Sequence, residues 1–144
     1  MANAYKKPVL KSLYYDKEVE KIPSLKGKTI AITGTTSGTG YVAAKVVAAK
    51  GARTVLLNRK SYRSKTTYDL LIKEYPQAEF INIECDLQNF DSVRSAAQKI
   101  KIELKFGLDV LCNNAGVMAL KDKPTTDGFD IQMQTNHLSH FLLT

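Results

Sequence analysis

Long apolar runs are missing from this chain. No stretch reaches the ~20 consecutive apolar residues a helix needs to cross a bilayer, so no transmembrane segment is expected. The opening residues, MANAYKKPVLKSLYYDKEVEKIP, carry lysines but no apolar core behind them, and so do not read as a secretory signal. They are rich in acids and poor in serine and arginine, unlike an organelle transit peptide. The cytoplasm is the default expectation, with an organelle left open. Cysteine is scarce. Cys85 and Cys112 each sit in or beside an expected buried strand and read as reduced thiols acting as small hydrophobes. Nothing argues for the oxidising compartment a disulfide requires. Repeats and low-complexity tracts are absent. Histidine is rarer than metal sites demand: His137 and His140 lie three apart on one expected helix with no third ligand nearby, and read as helix-surface or partly packed residues.

Acidic residues are in deficit, 14 against 21 basic ones, for a net charge of +7. Much of the excess lies in the first 28 residues and in a cluster of Arg59, Lys60, Arg63 and Lys65. Such patches are solvated surface or attract anions. Tyr5, Tyr14 and Tyr15 interleave the leading lysines, but no nucleic-acid motif accompanies them, and nucleic acid is not an expected partner.

What is present is an alternation. After an arm over residues 1–26, broken by Pro8 and Pro23, KTIAIT reads as a buried strand ending at Gly34. GYVAAKVVAAK reads as a helix that Gly51 closes as a left-handed cap. ARTVLLN is a second strand, residues 66–75 a helix stopped by Pro76, and EFINIEC a third strand. Residues 89–105 carry apolar positions at helical spacing, and LDVLCN is a fourth strand. A last helix is expected from Thr126–Asp127, both good caps. Parallel strands need long crossovers, and near-continuous apolar runs suit a sheet covered on both faces. The expected fold is α/β: a doubly wound parallel sheet of Rossmann type over residues 27–144, in strand order 3-2-1-4, truncated after the fourth strand and the start of the following helix. In that order strand four is an apolar edge, so the chain by itself is expected to be poorly stable.

Gly34-x3-Gly38-x-Gly40 falls between a strand and a helix, the context that makes a glycine pattern informative. Glycines there permit a tight turn and close approach of backbone to a pyrophosphate, whose charge the helix N-terminus favours. Thr35, Thr36, Ser37 and Thr39 add hydroxyl donors. Where an acid would bind a ribose 2′-hydroxyl, the second strand ends Leu57-Asn58-Arg59-Lys60. No carboxylate opposes a 2′-phosphate there, and Arg59 can pair with it bidentately, which favours NADP over NAD. The alternative for Arg59 is a solvated loop charge.

TGTTSGTG, an Asp-Leu after strand three and NNAG after strand four together resemble the short-chain dehydrogenase/reductase family, from about Lys28 onward. DGFDIQMQTNHLSHFLLT is most similar to its retinol-dehydrogenase-like branch. Protochlorophyllide reductases and WW-domain oxidoreductases have similar segments, so the substrate does not follow. The resemblance implies an NADP-dependent oxidoreductase interconverting an alcohol and a carbonyl by hydride transfer. It assigns pyrophosphate and adenosine ribose to Gly34, Ser37, Gly38, Thr39 and Gly40, with Thr35 beside them. Asp86 would accept from the adenine amino group, or cap the following helix, or both, and the Leu87 backbone would lie beside the ring. Asn114, Ala115 and Gly116 would line the cofactor, while Asn113 stabilises the sheet and nearby loops. Asn136 would be the tetrad asparagine, holding a water that links the catalytic lysine to solvent. The resemblance leaves room for a lipophilic substrate and for a homo-oligomer in the complete protein. No catalytic metal is implied.

The family's proton donor is a Tyr-x-x-x-Lys pair on a helix, with a nearby serine. Among seven tyrosines only Tyr41 has a lysine four residues on, Lys45. Tyr41 directly follows Gly40, on the turn that meets the pyrophosphate, away from where a nicotinamide would extend. The pair is therefore expected to be a solvent-facing coincidence. The serine and the true pair belong downstream of the asparagine helix, so the chain is expected to be an N-terminal cofactor-binding fragment without turnover of its own. The alternative is a catalytically inactive short product that binds a nucleotide or a partner.

Overall fold

A computed structural model of the chain describes residues 12–105 and 107–144. A short helix α1 (Tyr15–Glu20) precedes strand β1 (Thr29–Thr33). Then come helix α2 (Gly38–Ala49), strand β2 (Arg53–Asn58), helix α3 (Tyr62–Glu74), strand β3 (Phe80–Glu84), helix α4 (Phe90–Glu103) and strand β4 (Val110–Cys112). The chain finishes in helical turns: α5 (Ile131–Met133), a π-helical stretch (Gln134–Leu138) and α6 (Ser139–Leu143).

The four strands form one parallel sheet in the order β3-β2-β1-β4, as expected. Side chains alternate faces along a strand, and β1 and β2 divide accordingly. Ile30, Ile32 and Leu56 point to one face, where Ala44, Ala48 and Leu71 of α2 and α3 cover them. Ala31, Val55 and Leu57 point to the other, against Val93 and Ala96 of α4 and Leu143 of α6. Burying each large aliphatic side chain is worth roughly 1.5–3 kcal/mol, and helices on both faces are what allow these uninterrupted apolar strands. Ala44 and Ala48 are small enough for α2 to lie close on the sheet.

Several boundaries differ from expectation. The arm is not wholly irregular: α1 lies within it, and Leu25 donates its N–H to the Lys50 carbonyl at 2.8 Å and packs on the core. Residues 1–11 lie outside the described residues. Helix α3 begins at Tyr62 rather than 66, because Ser61 caps it by accepting from the Ser64 N–H. β4 pairs over only three residues, since the Asp109 carboxylate just before it is turned onto β1 and accepts the Thr29 N–H. The last helix starts at Ile131, capped by Asp130, whose Oδ1 accepts from the N–H groups of Gln132 and Met133. Asp127, the expected cap, instead accepts from Phe90 N–H and Gln134 Nε2 and ties the preceding loop to α4. Gly51 follows α2 at φ +92°, the left-handed end the sequence predicts.

Candidate functional site

The strand order reverses between β1 and β4, and in open α/β sheets ligands bind outside the carboxyl ends of the strands at that point. A crevice of about 600 Å³ lies at those carboxyl ends. Gly34 and Thr36 line it from the glycine loop, Asn58 and Arg59 from the end of β2, Asp86 and Leu87 from the end of β3, and Ala115 and Gly116 from the segment after β4. A wider groove of about 1170 Å³ lies at the amino ends of the strands, among Lys28, Arg53 and Glu79, and holds none of the motif residues.

The glycine loop is built from beneath. Gly34 has φ +72°, and a Cβ there would stand 2.8 Å from the Ala115 Cβ. At Gly40 a Cβ would come within 2.4 Å of both the Gly34 carbonyl oxygen and Asn114 Nδ2, so only glycine lets α2 start this close to the loop. Gly40 is buried, as is Thr35, and neither lines the crevice. This corrects the expectation of a Thr35 hydroxyl donor. The Thr35 N–H donates to Asn58 Oδ1 and its hydroxyl accepts from Asn58 Nδ2. Thr36 is half-buried, while Ser37, Gly38 and Thr39 stand exposed. Ser37 is the N-cap of α2, yet its side chain makes no capping hydrogen bond.

Asn114 is also structural in its side chain. Its Nδ2 donates to the Thr33 carbonyl at 2.8 Å, joining the β4 end to the loop. Its N–H and that of Ala115 both donate to Thr33 Oγ1, at 3.0 and 2.9 Å. Asn113 donates to Thr144 Oγ1 instead. Asp86 is half-buried, with Oδ1 accepting from the Gln88 N–H. It does not cap α4: Asn89 does, accepting from the Ser92 N–H. Leu87 is buried and its carbonyl accepts from Ser139 Oγ at 2.6 Å. Arg59 is exposed, with Arg63 nearby in the same lining. Cys85 lies in the crevice wall, and burial pushes its thiol up to about 11.

Asn136 sits inside the π-helical stretch and reaches across to the segment after Gly116. Its Oδ1 accepts from Val117 N–H and its Nδ2 donates to the Val117 carbonyl, both at 2.8 Å. The neighbouring Thr135 lines the crevice with a buried hydroxyl that has no hydrogen-bond partner among the described residues. His137 is exposed, but His140 is buried, which corrects its reading as a helix-surface or partly packed residue. Its Nε2 is 2.9 Å from Thr33 Oγ1 and its Nδ1 is 3.1 Å from the Asn136 carbonyl oxygen. Among the described residues no cluster of three or more metal-ligating side chains occurs.

Tyr41 and Lys45 do not line the crevice. They are not solvent-facing either. Lys45 Nζ pairs with Glu74 of α3 at 2.5 Å and lies over the rings of Tyr41 and Tyr75, at 5.7 and 5.9 Å from their centroids. The Glu74 carboxylate holds the Lys45 ammonium above its ordinary pKa. Tyr41 is half-buried against the core. The pair joins α2 to α3.

Thr33, Asn58, Thr135 and His140 were not among the residues singled out from the sequence as parts of the site. Thr33 reads there as a β-former, Asn58 as a strand end, and Thr135 as a helix residue beside Asn136.

A doubly wound parallel sheet with a glycine loop between β1 and α2 defines a Rossmann-type, dinucleotide-binding class of protein. The family model described as short chain dehydrogenase matches residues 28–144, and the chain belongs to the short-chain dehydrogenase/reductase family, with retinol-dehydrogenase-like relatives. It is 37% identical over 116 residues to a chloroplastic short-chain dehydrogenase, TIC 32 A, of Brassica napus, covering 81% of this chain and 36% of that protein. It is 35% identical over 118 residues to retinol dehydrogenase 12 of Mus musculus, covering 82% of this chain and 37% of that one. Polyprenol dehydrogenase of Homo sapiens is 34% identical over 122 residues, covering 85% and 37% respectively. The chain thus spans little more than a third of the length of these relatives. Among solved structures, a protein from Mycobacterium paratuberculosis superposes with TM-score 0.76 at 36% identity, covering 88% of this chain and 43% of that one. A metagenomic short-chain oxidoreductase in complex with NADP superposes with TM-score 0.70 at 27% identity, covering 83% and 54%. Among the described residues, no helix is long and apolar enough to cross a membrane.

Proposed function

We propose that this chain is the cofactor-binding part of an NADP(H)-dependent oxidoreductase that interconverts an alcohol and a carbonyl. The observation that carries the reading is the end of β2, where Asn58 is buried under the glycine loop and the next residue in the crevice is the exposed Arg59, with no carboxylate at that strand end. A 2′-phosphate meets a cation there, and β2 itself ends without a carboxylate to oppose it. Other features fit the same group. The first turn of α2 is left without a side-chain cap at Ser37, next to Gly38, whose φ of +57° and open surroundings let a phosphate approach the backbone. The unpartnered Thr135 hydroxyl is a polar atom that a ligand in the crevice could satisfy. The solved relative in complex with NADP is consistent with this choice.

Bound in the crevice, NADP(H) supplies or accepts the hydride. The chain's own residues bind and orient it: Ser37, Gly38 and Thr39 offer N–H and hydroxyl donors to the pyrophosphate, with Gly34, Thr35 and Gly40 shaping the loop. Arg59 holds the 2′-phosphate, Asp86 accepts from the adenine amino group, and Leu87 flanks the ring. The backbone of Asn114, Ala115 and Gly116 forms the floor. Asn136 serves as the tetrad asparagine of the family's site. The test is titration of the protein, expressed from its full coding sequence, with NADPH and with NADH, followed by the blue shift of nicotinamide fluorescence. NADPH is expected to bind at least about tenfold tighter, the effect of one charge-assisted pair. Equal affinities would overturn the NADP assignment, and no binding of either would overturn the reading altogether.

A further inference from the structure

Thr33 Oγ1 accepts two N–H bonds, from Asn114 and Ala115. A hydroxyl oxygen has two lone pairs and one proton, so only the proton remains. Two acceptors lie within reach, the Cys112 carbonyl at 3.5 Å and His140 Nε2 at 2.9 Å. The shorter contact takes it, and Nε2 must therefore be bare. The ring proton is then on Nδ1, where it donates to the Asn136 carbonyl. The other tautomer would aim a third N–H at the Thr33 oxygen and set the Nδ1 lone pair against a carbonyl. An imidazolium would likewise aim a third N–H at an oxygen with no free lone pair. His140 is 6% exposed, so water does not relieve either clash.

The two ends of this ring reach residues that in turn hold the crevice wall, where Ala115 and Val117 lie. Thr33 holds the N–H groups of Asn114 and Ala115, the floor. Asn136 holds Val117 through its side chain, from a π-helical stretch of the kind that re-aims side chains at functional sites. We propose that His140 is a positioning residue of this site: as the neutral, Nδ1-protonated imidazole it fixes the Asn136 carbonyl and the Asn114–Ala115 floor in one register. Its value for cofactor binding rests on the function proposed above.

The experiment uses the protein expressed from its full coding sequence. Imidazole nitrogen NMR of the unsubstituted protein, with His140 assigned through its own backbone, should show the proton on Nδ1. A proton on Nε2, or on both nitrogens, at neutral pH overturns the proposal without any variant having to fold. Two substitutions then separate the ends of the ring. His140→Asn keeps a donor near the Asn136 carbonyl and loses the acceptor for Thr33. NADPH affinity should fall about tenfold, the worth of one hydrogen bond, while the Val117 amide keeps its protection from hydrogen exchange. His140→Gln keeps an acceptor for Thr33 and loses the donor, so Val117 protection should fall about tenfold and NADPH affinity should hold. Equal losses in both variants on both readouts mean that the ring only fills space. If even the unsubstituted protein fails to bind NADPH, the cofactor reading fails, and the tautomer and Val117 measurements still decide the claim about His140.

Discussion

Asn58 and Thr35 are joined twice: the Asn58 carboxamide accepts from the Thr35 N–H and donates to the Thr35 hydroxyl, each at 2.8 Å, and both residues are buried. One side chain thus anchors the glycine loop to the end of β2. Replacing Asn58 by Ala leaves a buried N–H without a partner, at a cost of about 1–3 kcal/mol. The expected outcome is a lower urea midpoint with an unchanged slope, together with weaker NADPH binding. An unchanged midpoint would show that the loop does not depend on this pair.

The glycines of the loop are not equivalent. Gly40→Ala drives a methyl onto the Gly34 carbonyl and the Asn114 amide, both 2.4 Å from the ideal position. The backbone must shift, at about 1–3 kcal/mol. Gly38→Ala meets nothing within 4 Å, but holds φ +57°, a strain of roughly 1–2 kcal/mol. In thermal melts Gly40→Ala should lose packing and cofactor affinity together. Gly38→Ala should fold normally apart from its modest strain. If the two variants melt alike and bind alike, the close approach of α2 is not what selects Gly40.

Arg59→Glu should reverse the cofactor preference. The exposed guanidinium is expected to add about 1.5–3 kcal/mol of charge-assisted bonding to a 2′-phosphate, so NADPH affinity falls by one to two orders of magnitude while NADH affinity holds or improves. The wild-type NADPH affinity should also weaken as salt rises, and that of the variant should not. An identical NADPH constant in the two proteins would assign Arg59 to solvated surface.

Asp109 is expected to give the sheet a pH dependence. Lys28 Nζ, at 2.8 Å, and then the Thr29 N–H hold its carboxyl below the ordinary value. A carboxyl depressed on folding adds stability that is complete above its unfolded pKa of about 4 and is lost as pH falls through the lowered folded value. Lys28 is raised by the same bond; its contribution is complete below about 10.4 and fades as pH rises through the raised value. Asp109→Asn should flatten the acid limb of a plot of denaturation midpoint against pH. Parallel acid limbs in variant and wild type would show that the pair contributes nothing to the pH dependence.

The strand order was legible because Ile30–Thr33 and Val55–Leu57 are apolar or β-branched without interruption, and only a sheet covered on both faces buries such runs. The glycines of the loop stood out because a Cβ at Gly34 or Gly40 has no room, whereas Asn136 stood out only through the resemblance of its segment to a known family. The hidden parts are those in which one polar residue serves a distant one. Nothing local marks Asp127 as the partner of Phe90 or Asp130 as the cap, since both acids suit a helix start. Tyr41 and Lys45 have the spacing of a catalytic pair, and only the packing of α2 against α3 reveals Glu74 as the lysine's partner. His140 reads as a helix-surface or partly packed residue until the sheet brings Thr33 beneath it.

The contact between Thr33 and His140 bridges 107 positions of the chain. Synthesis delivers the N-terminal part first, and non-local contacts form late. The sheet from β1 to β3 can assemble on neighbouring segments while the polypeptide is still being made. The crevice floor cannot be finished at that stage, because Thr33 waits for a ring that emerges more than a hundred residues later. Closure of the crevice wall is therefore a property of the whole segment from Thr33 to His140 and not of the glycine loop alone.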